Sequence, residues 1–238
     1  MNCLLLDPKE FDASTGRASI SGRRRRHADE ILNASKGDRL RVGLVGGRLG
    51  RARVLELNDE RLELAVEFDR DPAEKLPLTL VMALSRPPVF RRLLSTVASL
   101  GVRRILVVGT ARTEKSFWQS HVLEPDAMRE RLLLGLEQSS DTVLPSVELH
   151  RYFEPLVEEV LPPLLEQGRG FLAHPTAAMP CPAGVEGPIS VFVGPEGGLI
   201  DYEVDKLRAL GFECVRVGDR VLRVEPVIPL LVGRLVPG

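Results

Sequence analysis

The sequence predicts an α/β protein, a layered domain of buried strands alternating with helices behind a smaller antiparallel β-barrel or sandwich. Three observations carry this reading. Up to about Asp71 apolar and polar residues alternate in short runs, the period of strands with one wet face. Beyond it, Leu78–Leu84 and Arg104–Val108 are too continuously apolar to have a wet face, as in parallel strands buried on both sides. Helical stretches fall between the later apolar runs, and strand alternating with helix means layers.

In the N-terminal part, Asp38–Leu44, Arg48–Leu57 and Arg61–Phe68 alternate, with Leu62, Leu64, Val66 and Phe68 on one face. Gly46-Gly47 and Asn58-Asp59 separate them at hairpin spacing. Asp71-Pro72 through Lys75-Leu76-Pro77 reads as a linker, so the domains are taken as 1–72 and 73–238. Helices are predicted over Val89–Leu100, ended by Gly101, over Pro125–Ser139, and over Tyr152–Gln167, broken by Pro162-Pro163. Strands follow at Gly170–His174, Ile189–Val193 and Cys214–Val217, with a helix over Asp201–Leu210 stopped by Gly211 and a last helix behind them.

Composition narrows the class. With 238 residues, 44% apolar and 27% charged, the chain has ample core for folding, which excludes disordered and collagen-like proteins. No run approaches the roughly 18 apolar residues of a membrane span, and acids follow MNCLLL where a signal peptide would stay apolar. A cytoplasmic location is the expectation. Cys3, Cys181 and Cys214 form no CxxC or CxxH pair, so neither a disulfide framework nor a metal site is expected.

The net charge of −1 hides segregation. From Arg17 to Arg53 eleven bases face three acids, and from Arg86 to Lys115 seven bases face Glu114 alone. Of 32 bases 27 are arginines, the side chain suited to bidentate phosphate contact. The run Arg23-Arg24-Arg25-Arg26 before His27 is read as an RNA phosphate contact, its alternative being a solvated face.

Two glycine loops end successive strands. Val191–Val193 runs into Gly194-Pro195-Glu196-Gly197-Gly198, with Asp201 as N-cap of the next helix, and Val215–Val217 runs into Gly218-Asp219-Arg220. His174-Pro175 ends a third. Loops at the carboxyl ends of parallel strands bind ligands, and glycine lets backbone groups approach closely. A tight strand-to-helix turn remains the other reading of the Gly194–Gly198 loop, and a satisfied turn histidine that of His174.

These loops, with Leu222-Arg223 and Glu225, resemble the C-terminal signature of the RsmE family, SPOUT-class enzymes that methylate ring nitrogen 3 of a uridine in small-subunit ribosomal RNA. Arg25 to His27, Gly37-Asp38, Leu100-Gly101-Val102, Glu137-Gln138-Ser139, Val143 with Pro145, and His174-Pro175 extend the resemblance along most of the chain. It implies a PUA-like N-terminal RNA-binding barrel, a C-terminal α/β trefoil-knot domain, S-adenosylmethionine as cofactor and a homodimer. Carried over, the cofactor residues are His174, Pro175, Gly194, Glu196, Gly197, Gly198, Val217, Gly218 and Leu222. Arg223 and Glu225 are the catalytic candidates, and Arg86 joins Arg23–His27 as an RNA contact. The chain departs from the family pattern at Thr96, Val97 and Ser99, at Ser140-Asp141, and at Pro226. A rival reading is therefore a non-catalytic RNA-binding or ribosome-assembly protein with the same fold, and a third is a nucleotide-binding α/β enzyme unrelated to RNA.

Overall fold

In the computed structural model, which describes residues 3–237, the alternating N-terminal runs pair into one six-stranded sheet and the continuous apolar runs into a seven-stranded one. The chain splits into two units, the first running to Glu74 and including Leu133–Leu144, the second holding Lys75–Leu132 and Pro145 onward.

The first unit contains β1 (Leu4–Leu6), β2 (Phe11–Asp12), β3 (Arg17–Ile20), helix α1 (Gly22–Glu30), β4 (Arg39–Leu44), β5 (Leu49–Leu57) and β6 (Leu62–Arg70). Their order is β1-β4-β5-β6-β3-β2. All pairs are antiparallel except β1 with β4, which is parallel, so the expected all-antiparallel sheet is corrected there. The helix α1 lies where the sequence analysis placed no element. Its four consecutive arginines give no 3.6-residue apolar period, and only Arg25 and Ala28 of the helix are buried. Alternation puts Val42, Ala52, Val54, Leu62 and Leu64 into a common core with Leu4, Leu6 and Ile20.

The second unit runs through β7 (Leu76–Ala83), α2 (Pro87–Ser99), β8 (Val102–Val108), α3 (Pro125–Ser139), whose last turns belong to the first unit, and β9 (Ser146–His150). Then come α4 (Phe153–Pro155), a π turn over Leu156–Val160, α5 (Leu161–Gln167), β10 (Arg169–Ala173), β11 (Met179–Pro180), β12 (Ile189–Val193), α6 (Asp201–Leu210), β13 (Glu213–Arg216) and α7 (Val224–Leu235). Pro162-Pro163 do not break the helix. They occupy the first turn of α5, where a missing N–H costs nothing, and the irregularity is the π turn before them. The strand β9 escaped the sequence analysis, being short and only half-buried.

The sheet order is β11-β13-β10-β12-β7-β8-β9 and every pair is parallel. The inner strand β12 is buried at all five positions, as its unbroken apolar sequence requires. Phe192 near its carboxyl end packs edge-on against Phe153 and Phe212, both at 6.3 Å between ring centroids. Truncating such a side chain costs about 3–5 kcal/mol, so the strand that delivers the first glycine loop is firmly anchored.

Candidate functional site

Three strand ends converge on one cavity of about 370 Å³ in the second unit. The loop after β10 contributes His174 and Pro175, the loop after β12 contributes Gly194 through Leu199, and the loop after β13 contributes Val217, Gly218 and Arg220 through Leu222. All nine residues assigned to the cofactor from the sequence thus line one space. Its walls are mixed: Val193, Leu199, Val217, Val224 and Val227 are apolar, and the glycine loops offer backbone donors and acceptors. Gly198 has φ +73°, a left-handed conformation that closes the turn through its N–H to Pro195 O at 2.8 Å. The helix α6 has the expected bounds, Asp201–Leu210, but its N-cap is Ile200 and not Asp201; Glu203 accepts from the Ile200 N–H at 3.1 Å and from the Ala111 N–H at 2.7 Å.

Arg112 was missed by the sequence analysis. It lines the cavity, and its guanidinium donates to Gly197 O at 2.6 Å, bracing the glycine loop. The only sequence signal was its membership of the Arg86–Lys115 basic block. Arg86 is the N-cap of α2, and its backbone N–H donates to the Glu196 carboxylate at 3.3 Å. Arg223 is the exposed N-cap of α7, between Leu222 and Val224, which line the cavity while it does not. Glu225 is turned to α2, where the Arg92 guanidinium at 2.8 Å holds its carboxyl below the usual range.

In the first unit, three of the four arginines in the run are engaged within the fold. Arg23 pairs with Glu137 at 2.8 Å, Arg24 makes two hydrogen bonds to the Glu10 carboxylate and one to Leu5 O, and the buried Arg25 pairs with Asp29 and donates to Asn58 O. Arg26 alone is exposed without a partner among the described residues. His27 is half-buried, its Nε2 has no hydrogen-bond partner, and burial lowers its pKa.

The free basic charge lies on the sheet. Arg39 and Arg41 on β4 stand directly opposite Arg53 and Arg51 on β5, and Arg17 on β3 lies in the same row as Arg53, across Ala65. All five are exposed on the face away from Val42, Ala52 and Val54, and none of their side chains makes an ion pair or hydrogen bond among the described residues. Glu67 stands opposite Arg51, and Asp69 on the same strand lines a recess with Arg41 and Arg51, so two acids offset part of this charge. Like charges placed opposite one another destabilise a sheet, so folding alone does not account for this face. The signal was readable: four of these arginines sit on the polar positions of two alternating strands.

The comparisons with known proteins agree with the geometry. A family model for an RNA methyltransferase domain matches residues 72–235. The Ribosomal RNA small subunit methyltransferase E of Treponema pallidum is 30% identical over 231 residues, covering 94% of this chain and 86% of that protein. The chain belongs to the ribosomal RNA small subunit methyltransferase E family. Another member, from Synechocystis, is 25% identical over 92% of this chain and 72% of its own length. The solved structure of the family member from Neisseria gonorrhoeae, bound to S-adenosyl methionine, superposes with a TM-score of 0.74 at 20% identity, covering 97% of this chain and 95% of that one. A Legionella pneumophila protein solved with bound S-adenosylmethionine gives 0.77 at 18% identity over 97% and 94%. At these identities the likeness establishes the fold.

Of the positions at which the chain departs from the pattern of the resemblance, Val97 and Asp141 are buried and Pro226 is exposed near a helix start. Val97 is fully buried on α2 beside Leu93 and Leu94. Asp141 is buried, and its carboxylate accepts the N–H groups of Thr142 at 2.6 Å and Val143 at 3.1 Å. Pro226 occupies the first turn of α7, where proline is tolerated.

Proposed function

We propose that this protein methylates ring nitrogen 3 of a uridine in small-subunit ribosomal RNA, using S-adenosylmethionine held by the three strand-end loops. The observation that carries the reading is the convergence of His174-Pro175 and both glycine loops on one cavity, in a chain of this family. The residues present suit such a cofactor: apolar walls for adenine, and glycine backbone for the polar edges of adenine and ribose. Bound there, S-adenosylmethionine supplies a methyl group on a positively charged sulfur. The protein's share is to hold the acceptor in line and to stabilise the uridine anion left when the imide proton departs. Arg223, exposed beside the rim with no side-chain hydrogen bond or ion pair among the described residues, is the guanidinium suited to that task. Glu225 acts through α2 and not at the reacting atoms.

The position of β12 between β10 and β7, strands laid down earlier, supports the trefoil-knotted topology of the resemblance. The six-stranded sheet supports the PUA-like reading of the first unit, and its arginine face supplies the phosphate contacts expected of an RNA-binding domain. Leu230 on α7, 49% exposed, with the exposed Val221 and Leu222, supports a homodimer formed by this region. A ribosomal substrate supports a cytoplasmic location. The non-catalytic rival draws on Val97, Asp141 and Pro226, and it loses its motive if active relatives carry the same residues; membership of a family of methyltransferases favours the enzyme.

The test is methyl transfer to small ribosomal subunits lacking the modification, with the modified base mapped. Gly197→Val is the companion variant. A Cβ there meets only Arg112 carbons at 3.5 Å, ordinary contact, so the fold survives while the side chain crowds the cavity. Calorimetry should show loss of S-adenosylmethionine binding in a protein with unchanged melting. Wild-type affinity in that variant would remove the cavity assignment.

A further inference from the structure

The chain has one tryptophan and two tyrosines, and all three line a single cleft. The cleft, about 600 Å³, lies in the second unit at the carboxyl ends of β8 and β9. Trp118 stands on a 3-10 turn, Lys115–Gln119, Tyr152 just beyond β9, and Tyr202 in the first turn of α6. These rings are not core. Tyr152 is 68% exposed and Tyr202 51% exposed, although burial of such rings is strongly favoured.

The charge in the cleft is uneven in its availability. Glu203 is satisfied by two backbone N–H groups, and Glu154 accepts from the Tyr202 hydroxyl at 2.6 Å and pairs with Lys206 at 3.7 Å. Lys115 and Arg151 line the same cleft, are exposed, and their side chains make no ion pair or hydrogen bond among the described residues. Flat exposed rings next to uncommitted cations are the elements of a single-strand nucleic-acid site, where bases stack on aromatics and phosphates meet the positive charge. Lys206 lies 5.6 Å from the Tyr202 ring centre and covers one of its faces, which leaves Tyr152 as the open platform.

The cleft also adjoins the methyl-donor cavity through two shared segments. The stretch Gly109–Thr113 walls the cleft, while Arg112 within it braces Gly197 of the cavity. Ile200 and Tyr202 of the cleft follow directly on the Gly197–Leu199 wall.

We propose that this cleft binds an unpaired nucleotide of the RNA substrate, its base stacked on Tyr152 and Trp118 and its phosphates against Lys115 and Arg151. The inference rests on the RNA-methylating reading for the identity of the polymer, and adds a second RNA-binding surface within the methyltransferase domain. Trp118, as the sole tryptophan, reports on the site directly. The full-length protein is titrated with a short unpaired oligoribonucleotide, following tryptophan emission with unlabelled RNA and polarisation with end-labelled RNA. Emission should be quenched with the same midpoint as the polarisation change. Tyr152→Ala should weaken binding roughly five- to a hundredfold, the span of base–aromatic stacking, whereas Tyr152→Phe keeps the ring and the affinity. Calorimetric S-adenosylmethionine affinity should be the same in both variants. Unchanged emission on saturation, absence of binding to unpaired RNA, or wild-type affinity in Tyr152→Ala would each overturn the proposal. Methyl transfer to ribosomal subunits without quenching sinks the cleft alone; quenching without methyl transfer sinks the proposed function and leaves the cleft standing.

Discussion

Arg223 and Glu225 stand two residues apart in different surroundings. Glu225 ties α7 to α2 through Arg92, 133 positions away in the chain, a pairing with no local sequence signal. Arg223 caps α7 with its side chain in solvent. If its guanidinium meets the uridine anion only as the methyl group moves, Arg223→Ala should lower the single-turnover rate about a hundredfold, the usual cost of losing one such donor, with melting and cofactor affinity unchanged. Glu225→Gln is the contrast: an exposed ion pair contributes about 0.2–1 kcal/mol, so a small loss of melting temperature and a near-normal rate are expected. A normal rate in Arg223→Ala would end its catalytic assignment. At this scale the sequence named the loop residues correctly as neighbours, because glycines at strand ends leave a visible pattern, whereas Arg112 and Arg92 act through contacts that only the folded chain creates.

Among the elements, the contrast is between α1 and the β4–β5 ribbon. The consecutive arginines of α1 attract attention in the sequence, yet Arg23, Arg24 and Arg25 are held by carboxylates, while the scattered Arg39, Arg41, Arg51 and Arg53 gather on one face because strand side chains alternate. Charge runs are easy to see and strand registers are not, since pairing depends on partners distant in the chain. Replacing these four sheet arginines with glutamine should reduce the slope of log affinity against log salt by about 3, at roughly 0.7–0.9 for each phosphate no longer neutralised. It should also raise the melting temperature, because opposed like charges are removed. An unchanged slope would make the face ordinary surface. The partner of Arg23 supplies a pH test. Glu137 is almost fully buried, and desolvation raises its pKa above the usual glutamate value despite Arg23. A raised carboxyl pKa means the folded state holds the proton more tightly, so this group's contribution declines as pH rises from the ordinary glutamate range through the raised value. The melting temperature of Glu137→Gln relative to wild type should therefore improve from acid to neutral pH; a difference that is constant or moves the other way would show that the Arg23 pair outweighs burial.

For the whole molecule, the change from alternating to continuous apolar runs near Asp71 was legible because it reflects one-sided against two-sided burial of strands. A boundary in the sequence is nevertheless not the boundary of a folding unit. The first unit takes Leu133–Leu144 from well beyond the linker, and local periodicity carries no information about such a return. That segment closes specific groups of the N-terminal sheet: Glu137 O accepts the Cys3 N–H at 3.1 Å, Thr142 O accepts the Gly46 N–H at 2.8 Å, and the Thr142 hydroxyl donates to Gly47 O at 2.5 Å. It also carries the Glu137 partner of Arg23 and the fully buried Leu136. A fragment cut at the linker, residues 1–74, would lack every one of these and expose backbone groups and apolar surface that folding had covered, each missing hydrogen bond costing about 0.5–1.5 kcal/mol. Against the few kcal/mol that hold a unit of this size, that loss is decisive. The fragment should show no cooperative thermal transition by circular dichroism, and a synthetic peptide spanning 133–144 should restore one. A cooperative melt of the fragment alone would show instead that the N-terminal sheet is a self-sufficient domain and that the returning segment merely rests on it.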